Sequence, residues 1–133
     1  MRRLGLGLLV AAALAGCGSD EATQAGGPTG ELANLVVTVD RDGEHGGGKP
    51  IVLKVQCAKP TDSVACGAAA GISPADLQKT GSDVACTQIY GGPEVASIKG
   101  TIRGDAVDAT FSRTDGCEIE RWDSVKALLD EVG

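Results

Sequence analysis

The chain has 133 residues, a length typical of one domain, and it carries a formal net charge of −6. Its aromatic residues are one Phe, one Tyr and one Trp. An acidic chain with so few aromatics offers neither the cationic patch that binds phosphates nor the platform on which bases stack, so we expect no nucleic-acid partner.

The N-terminus has the pattern of an export signal. Residues 1–3 (MRR) contain two arginines, residues 4–14 form an uncharged apolar run, and small residues precede Cys17. The run is shorter than the roughly 20 apolar residues that cross a bilayer. Residues 14–17 (LAGC) resemble the bacterial lipobox at every position, which predicts that residues 1–16 are a cleaved signal peptide and that Cys17 is lipidated.

Lipidation of Cys17 would anchor the protein at the extracellular face of the cell membrane, because a diacylglyceryl cysteine supplies the two acyl chains that stable attachment requires. The alternative is an ordinary cleaved signal beside an incidental cysteine. Residues 17–31 are polar and rich in Gly, which predicts a flexible tether, and residues 32–133 are predicted to be the folded domain. Losing the signal would leave ten basic and 18 acidic residues, a balance of −8.

Two segments near the start of this domain predict paired strands. Residues 35–40 (LVVTVD) are rich in β-branched side chains. In residues 51–57 apolar and polar side chains alternate, so that every second residue from Ile51 to Cys57 lies on one face.

The connection between these strands contains acidic residues at Asp40, Asp42 and Glu44. Their spacing begins like a calcium loop, but the full ligand spacing and the late glutamate are absent. We therefore expect a solvated turn over residues 41–50, with no bound metal.

The second half of the domain predicts a helix, a hairpin and a further helix. Ser73 and the following Pro predict a helix start, with an end near Thr80. Strands are expected over 95–103 and 106–113, joined by a type II′ turn at Gly104-Asp105. Asp123 is expected to cap a C-terminal helix whose apolar stripe is Val125, Leu128, Leu129 and Val132, with Trp122 as a core residue at its start. Together these elements predict an α+β fold with an antiparallel sheet and two short helices.

Four cysteines remain beside Cys17, and an even number in an exported chain predicts two disulfides. They are Cys57, Cys66, Cys86 and Cys117. Their spacing allows three connectivities. The absence of a Cys-x-x-Cys pair and the single histidine, His45, argue against a zinc site.

The sequence gives little support for an enzyme. His45 lies in a Gly-rich turn, without a recognisable partner for a hydrolase triad. The glycine run at 46–48 leads into another strand rather than a helix, so it does not form a phosphate-binding loop. We expect neither a catalytic residue nor a cofactor.

The stretch from Leu35 to about Trp122 resembles the Streptomyces subtilisin inhibitor family. A specific part of the resemblance is the order of the four cysteines, with a tyrosine four residues after the third. The segments that carry it are LVVTV at 35–39, IVLKVQC at 51–57, GSDVACTQIY at 81–90 and FSRTDGCE at 111–118.

This resemblance implies a five-stranded antiparallel sheet with two helices and the disulfides Cys57–Cys66 and Cys86–Cys117. It also implies a homodimer that blocks a subtilisin-like serine protease. The reactive bond of the inhibitor would lie between Gln88 and Ile89, and Gln88 would enter the primary specificity pocket of the protease. The reactive loop would also include Cys86, Thr87 and Tyr90.

Two other functions stay open at this stage. A non-inhibitory surface lipoprotein could use the same fold to bind a partner, in which case the segment around Gln88 is an ordinary exposed connection beside a structural disulfide. A hydrolase would require turnover of an ester or a peptide.

Overall fold

The computed structural model describes residues 30–133, so the predicted signal peptide, Cys17 and most of the predicted tether lie outside the described residues. The described part has an α+β fold, in which an antiparallel sheet packs against two α-helices and two disulfides are formed. This confirms the predicted fold class. Over residues 30–133, no helix is both long enough and apolar enough to cross a membrane.

The sheet has four strands in the order β2-β1-β3-β4, and every neighbouring pair is antiparallel. The strands are β1 (Ala33–Asp40), β2 (Ile51–Cys57), β3 (Val95–Ile102) and β4 (Asp105–Phe111). Their bounds lie within two residues of the four strands that periodicity predicts. The apolar positions recur with period two, which is the pattern of a sheet with one buried face.

The resemblance implied five strands, but the sheet of the described residues has four. The long connection before β3 adds no strand to the sheet. Its backbone makes isolated hydrogen bonds, from Gly91 to Arg113 and from Gly116 to Thr87, instead of a continuous ladder. A strand needs repeated pairing with one neighbour, and the two hydrogen bonds of this connection go to residues that follow β4 instead of to a strand.

The two α-helices are α1 (Val64–Ala70) and α2 (Gly116–Leu129). The helix predicted from Ser73 to Thr80 is only a 3-10 turn, Pro74–Leu77. Asp76 accepts hydrogen bonds from the backbone N–H and the hydroxyl of Ser73, at 2.8 and 2.7 Å, which closes one turn. The chain is extended at Gln78, whose carbonyl accepts a hydrogen bond from Arg121.

The C-terminal helix begins earlier than predicted, since Asp115 rather than Asp123 is its N-cap. Asp115 Oδ1 accepts a hydrogen bond from the backbone N–H of Glu118 at 2.9 Å. Thr114-Asp115-Gly116 has the composition of a turn, but here it supplies the cap and first residue of α2. The expected apolar residues are buried, and they are Trp122, Val125, Leu128, Leu129 and Val132. Val132 lies three residues beyond the end of α2 instead of on the helix, where it was expected.

The turn between β3 and β4 also differs from the prediction. Its central residues are Arg103 and Gly104, with φ values of 50° and 82°, as a type I′ turn requires. Arg103 tolerates this conformation because its guanidinium donates hydrogen bonds to the carbonyls of Ala70 and Ile72, at 3.1 and 2.6 Å. The hairpin is thereby fastened to the end of α1.

The hydrophobic core lies between one face of the sheet and the two helices. Each strand contributes alternate residues. In β2 the predicted face is buried only toward the end of the strand: Val55 and Cys57 are in the core, whereas Ile51 is 40% exposed. The core residues from the strands are Ala33, Leu35, Val37, Val39, Val55, Cys57, Ala96, Ile98, Ile102, Val107, Ala109 and Phe111.

The disulfides pair Cys57 with Cys66 and Cys86 with Cys117, with Cα–Cα distances of 5.6 and 5.4 Å. This is the connectivity that the resemblance implied. The first bond joins the end of β2 to α1, and the second joins the long connection before β3 to the first turn of α2.

Candidate functional site

The candidate site is the exposed segment Thr87–Tyr90, which we call the reactive loop, in the connection between the 3-10 turn and β3. All four of its residues are exposed, and Ile89 and Tyr90 have fractional exposures of 59% and 67%. Cys86 before it and Gly91 after it are half-buried. The loop therefore projects from the surface between two fixed ends.

Its first end is attached to the start of α2. The Cys86–Cys117 disulfide lies immediately before the loop, and the carbonyl of Thr87 accepts a hydrogen bond from the backbone N–H of Gly116 at 2.9 Å. Gly116 leaves room for the Thr87 side chain, because a Cβ at residue 116 would require the Thr87 hydroxyl to move. A covalent bond and a main-chain hydrogen bond thus hold the same end.

The second end of the loop is attached to Arg113, two residues after the end of β4. The backbone N–H of Gly91 donates to the carbonyl of Arg113 at 2.7 Å. A Cβ at Gly91 would lie only 2.9 Å from the side chain of Ile119 on α2, so the glycine allows a close approach. Both ends of the reactive loop are therefore fixed by one short segment, residues 113–117, which we call the support segment.

The support segment is itself anchored at both ends. Phe111, two residues before its start, is buried in the core with 2% exposure. Glu118, just after it, forms an ion pair of 2.8 Å with the buried Arg121. Because the segment lies between a core strand and a capped helix, its backbone groups are fixed before any partner arrives.

The side chain of Gln88 turns back onto its own loop. Its Nε2 donates a hydrogen bond of 3.3 Å to the carbonyl of Cys86. Gln88 is nevertheless exposed, as is Ile89 on the other side of the predicted bond. The arrangement offers an accessible peptide bond in a segment whose ends cannot separate.

The described residues contain one cluster of three potential metal ligands, Cys86, Asp115 and Cys117. The two sulfurs are joined to each other, and the carboxylate of Asp115 caps α2. These groups are already engaged, so they do not supply the free thiolates of a zinc site.

The turn after β1, which contains Asp40, Asp42 and Glu44, is held by a local hydrogen bond. The backbone N–H of Asp42 donates to Asp40 Oδ1 at 3.1 Å, and Asp42, Glu44 and His45 are exposed. Asp40 and Asp42 are thus brought together by the turn itself, while His45 lies on the same exposed connection.

The exposed segment and its cysteines were predicted from the sequence, but the backbone groups that hold its two ends were not: the N–H of Gly116 holds the first end and the carbonyl of Arg113 the second. Arg113 was expected at the end of the fourth strand, and the composition around Gly116 suggested only a turn. The Asp-Gly pair before Cys117 is a signal that could have located the helix cap, since Asp is a preferred N-cap residue.

Comparisons of the chain with models of known protein families, with curated proteins and with solved structures gave no match. Its functional assignment consequently depends on the residues and geometry of the site.

Proposed function

We propose that the protein is an inhibitor of subtilisin-like serine proteases and that Gln88–Ile89 is its reactive bond. The observation that carries this proposal is the attachment of both ends of the reactive loop to one support segment. Such a loop can enter a protease as a substrate would, yet it cannot move away after cleavage.

The first step is binding through the backbone. Proteases bind the chain they cut as an extended strand, by main-chain hydrogen bonds. A loop that is already fixed loses little conformational entropy in forming them. The side chains of Ile89 and Tyr90 are exposed, and that of Gln88 can enter the specificity pocket once it releases its hydrogen bond to the Cys86 carbonyl. Tyr is a residue type that often contributes strongly at interface centres.

The second step is retention after cleavage. Cutting the reactive bond would leave Gln88 tied through Thr87 and Cys86, and Ile89 tied through Gly91. The two new ends would remain close together at a high effective concentration, which favours re-formation of the bond over release. The protease would then be occupied by a ligand that it binds well and turns over slowly.

The family assignment is part of this proposal. It is supported by the segments that resemble the Streptomyces subtilisin inhibitor family and by the two disulfides, which have the connectivity that this resemblance implied. On this reading the inhibitor is lipid-anchored through Cys17 at the extracellular face of the membrane, where it would meet secreted proteases.

The test is a titration of subtilisin with the purified full chain in detergent, followed by mass spectrometry of the chain. We expect loss of protease activity with slow, single cleavage between Gln88 and Ile89. Rapid digestion at many sites would contradict the proposal. An intact chain that leaves subtilisin fully active would favour the alternative, a surface lipoprotein that binds another partner.

If subtilisin is not inhibited, two variants show whether the loop fits this protease poorly or whether the chain is not an inhibitor. Gln88→Met offers a larger apolar side chain to the specificity pocket. Thr87→Pro restricts the backbone at the residue before Gln88. We expect either change to strengthen inhibition of subtilisin. The matched control is Gln56→Met on the exposed side of β2, which should leave inhibition unchanged. Sedimentation of the same samples would test the homodimer that the resemblance implies.

A further inference from the structure

An ion pair lies beneath the second end of the reactive loop. Arg113 donates a hydrogen bond of 3.1 Å to Glu94 Oε1, and the side chains are 31% and 26% exposed. Glu94 directly precedes β3, and Arg113 is in the support segment after β4. The pair therefore connects the chain that leaves the reactive loop to the segment that supports it.

The turn that follows the loop packs directly on this pair. Gly91 donates its N–H to the carbonyl of Arg113, and a Cβ at Gly91 would lie 3.2 Å from Arg113 Cβ. Gly92 has φ +144°, and a Cβ there would overlap the Glu94 carboxylate. Glycines at both positions let the backbone lie against the two charged side chains.

Water is partly excluded from the pair. Glu94 Oε2 and Arg113 Nε are buried and lack hydrogen-bond partners in the described part of the chain. A charge in such surroundings is screened less by solvent and salt than one on an open surface. Removal of either partner would leave the other without compensation.

We propose that Glu94 and Arg113 are positioning residues that hold the leaving side of the reactive bond, so that the cleaved inhibitor is resealed instead of released. This inference rests on the proposed inhibitory function. It concerns the amine of Ile89, which is held in place through Gly91 and the carbonyl of Arg113.

The chemistry of this step is reversible acyl transfer. The serine hydroxyl of the protease attacks the Gln88 carbonyl, its proton passes to the leaving nitrogen, and Ile89 becomes a free amine beside an acyl-enzyme ester. Resealing reverses these changes: the amine attacks the ester, and the serine oxygen leaves and regains the proton. Water competes with the amine for the ester, so the position of Ile89 decides which reaction prevails.

The experiment compares the full chain in detergent with Glu94→Gln, Arg113→Met and the exchanged pair Glu94→Arg/Arg113→Glu. Subtilisin is the probe, and the rate of cleavage at Gln88–Ile89 is followed by mass spectrometry. Each single change is expected to raise that rate about tenfold, in line with losing one charge-assisted hydrogen bond, and the exchanged pair to recover part of the loss.

The matched control is Lys99→Gln, which breaks an ion pair between β3 and β4 that is far more exposed, Lys99–Asp108. It should leave the cleavage rate unchanged. Melting temperatures of all variants show whether a faster cleavage reflects general unfolding. Equal cleavage rates in Glu94→Gln and Lys99→Gln would overturn the inference.

Amide hydrogen exchange supplies a readout without protease. Glu94→Gln should speed exchange of the Gly91 N–H about tenfold while leaving the Gly116 N–H, which donates to Thr87, unchanged. If the unaltered chain does not inhibit subtilisin, the proposed function fails. The exchange rate of the Gly91 N–H then tests, independently of inhibition, whether the ion pair holds this end of the loop. Faster exchange supports the positioning role, and unchanged exchange overturns it.

Discussion

Arg121 is a buried charge, with 8% exposure, that connects three parts of the structure. Its Nε donates to the carbonyl of Gln78 at 2.7 Å, and one terminal nitrogen reaches Glu118 at 2.8 Å and the carbonyl of Thr110 at 3.2 Å. Its guanidinium also lies 4.8 Å from the centre of the Phe111 ring. The planar fork of Arg allows one side chain to make all of these contacts.

Replacing Arg121 with Met should lower the free energy of unfolding by about 3 kcal/mol, because Glu118 and three backbone carbonyls lose a donor that is itself buried. Urea unfolding under oxidising conditions measures this change. Lys126→Met is the matched control on the same helix, since its ion pair with Asp130 is exposed and is worth about 0.5 kcal/mol or less. Similar losses in the two variants would contradict this account.

Asp62 is an exposed residue whose ionisation is coupled to local structure. The backbone N–H groups of Lys59 and Ala58 each donate to its Oδ2 at 2.8 Å, and these bonds lower the pKa of its carboxyl below the ordinary value. They stabilise the carboxylate only in the folded chain.

Because the folded pKa is lower than the unfolded value, the stabilisation from Asp62 is fully present above about pH 4 and is lost as pH falls through the folded pKa. Asp62→Asn should therefore lower stability at pH 7 and have less effect near pH 2. Thermal melts across this range test the prediction. A difference between the two chains that does not change with pH would rule out this role.

At the scale of elements, Gly100 permits the close pairing of β1 and β3. It lies within β3 opposite Leu35 and Val107, and its φ is +135°. A Cβ at this position would overlap the carbonyl oxygen of Asn34. Both the backbone conformation and the contact therefore require glycine.

Gly100→Ala should destabilise the sheet by about 1–3 kcal/mol, the usual cost of a strained backbone conformation, with more if the strands must separate. Gly47→Ala is the control, because a Cβ there meets no atom within 4 Å and its φ is not positive. Denaturant unfolding of both variants gives the comparison. Equal stability would show that β3 adapts to a side chain at position 100.

At the scale of the whole molecule, the two disulfides have different consequences. Cys57–Cys66 encloses a sequence separation of nine and fastens α1 to the sheet. Cys86–Cys117 encloses a separation of 31 and fastens the reactive loop to α2. In the chain-entropy model they contribute roughly 2.5–3 and 3.5–4 kcal/mol to stability.

If the proposed function holds, removal of Cys86–Cys117 by a double alanine substitution should turn the chain from an inhibitor into a substrate, since the first end of the loop would keep only the Thr87–Gly116 hydrogen bond. Removal of Cys57–Cys66 should lower stability but leave inhibition intact at temperatures where the chain is folded. Inhibition of subtilisin, measured beside thermal melts, separates the two effects. Retained inhibition without Cys86–Cys117 would contradict the proposed role of that bond.

Local sequence patterns predicted most of the sheet. In the four strands the alternation of apolar residues was sufficient, because burying one face of a sheet requires period two. The apolar stripe of α2 was recognised for a similar reason. The start of α2 was not, since Thr114-Asp115-Gly116 suits a turn and a helix cap equally well, and the disulfide and packing of the first turn favour the cap.

The sequence by itself determined most of the residues that are buried in the strands, where the cysteines lie and which exposed segment resembles a reactive loop. Tertiary structure decided what holds that segment. The two attachments come from residues 113 and 116, more than 20 positions along the chain from the loop, and no local pattern encodes a hydrogen bond between backbone groups so far apart. Their approach depends on the packing of α2 against the sheet and on the space left by Gly91 and Gly116, which exists only once the core has formed.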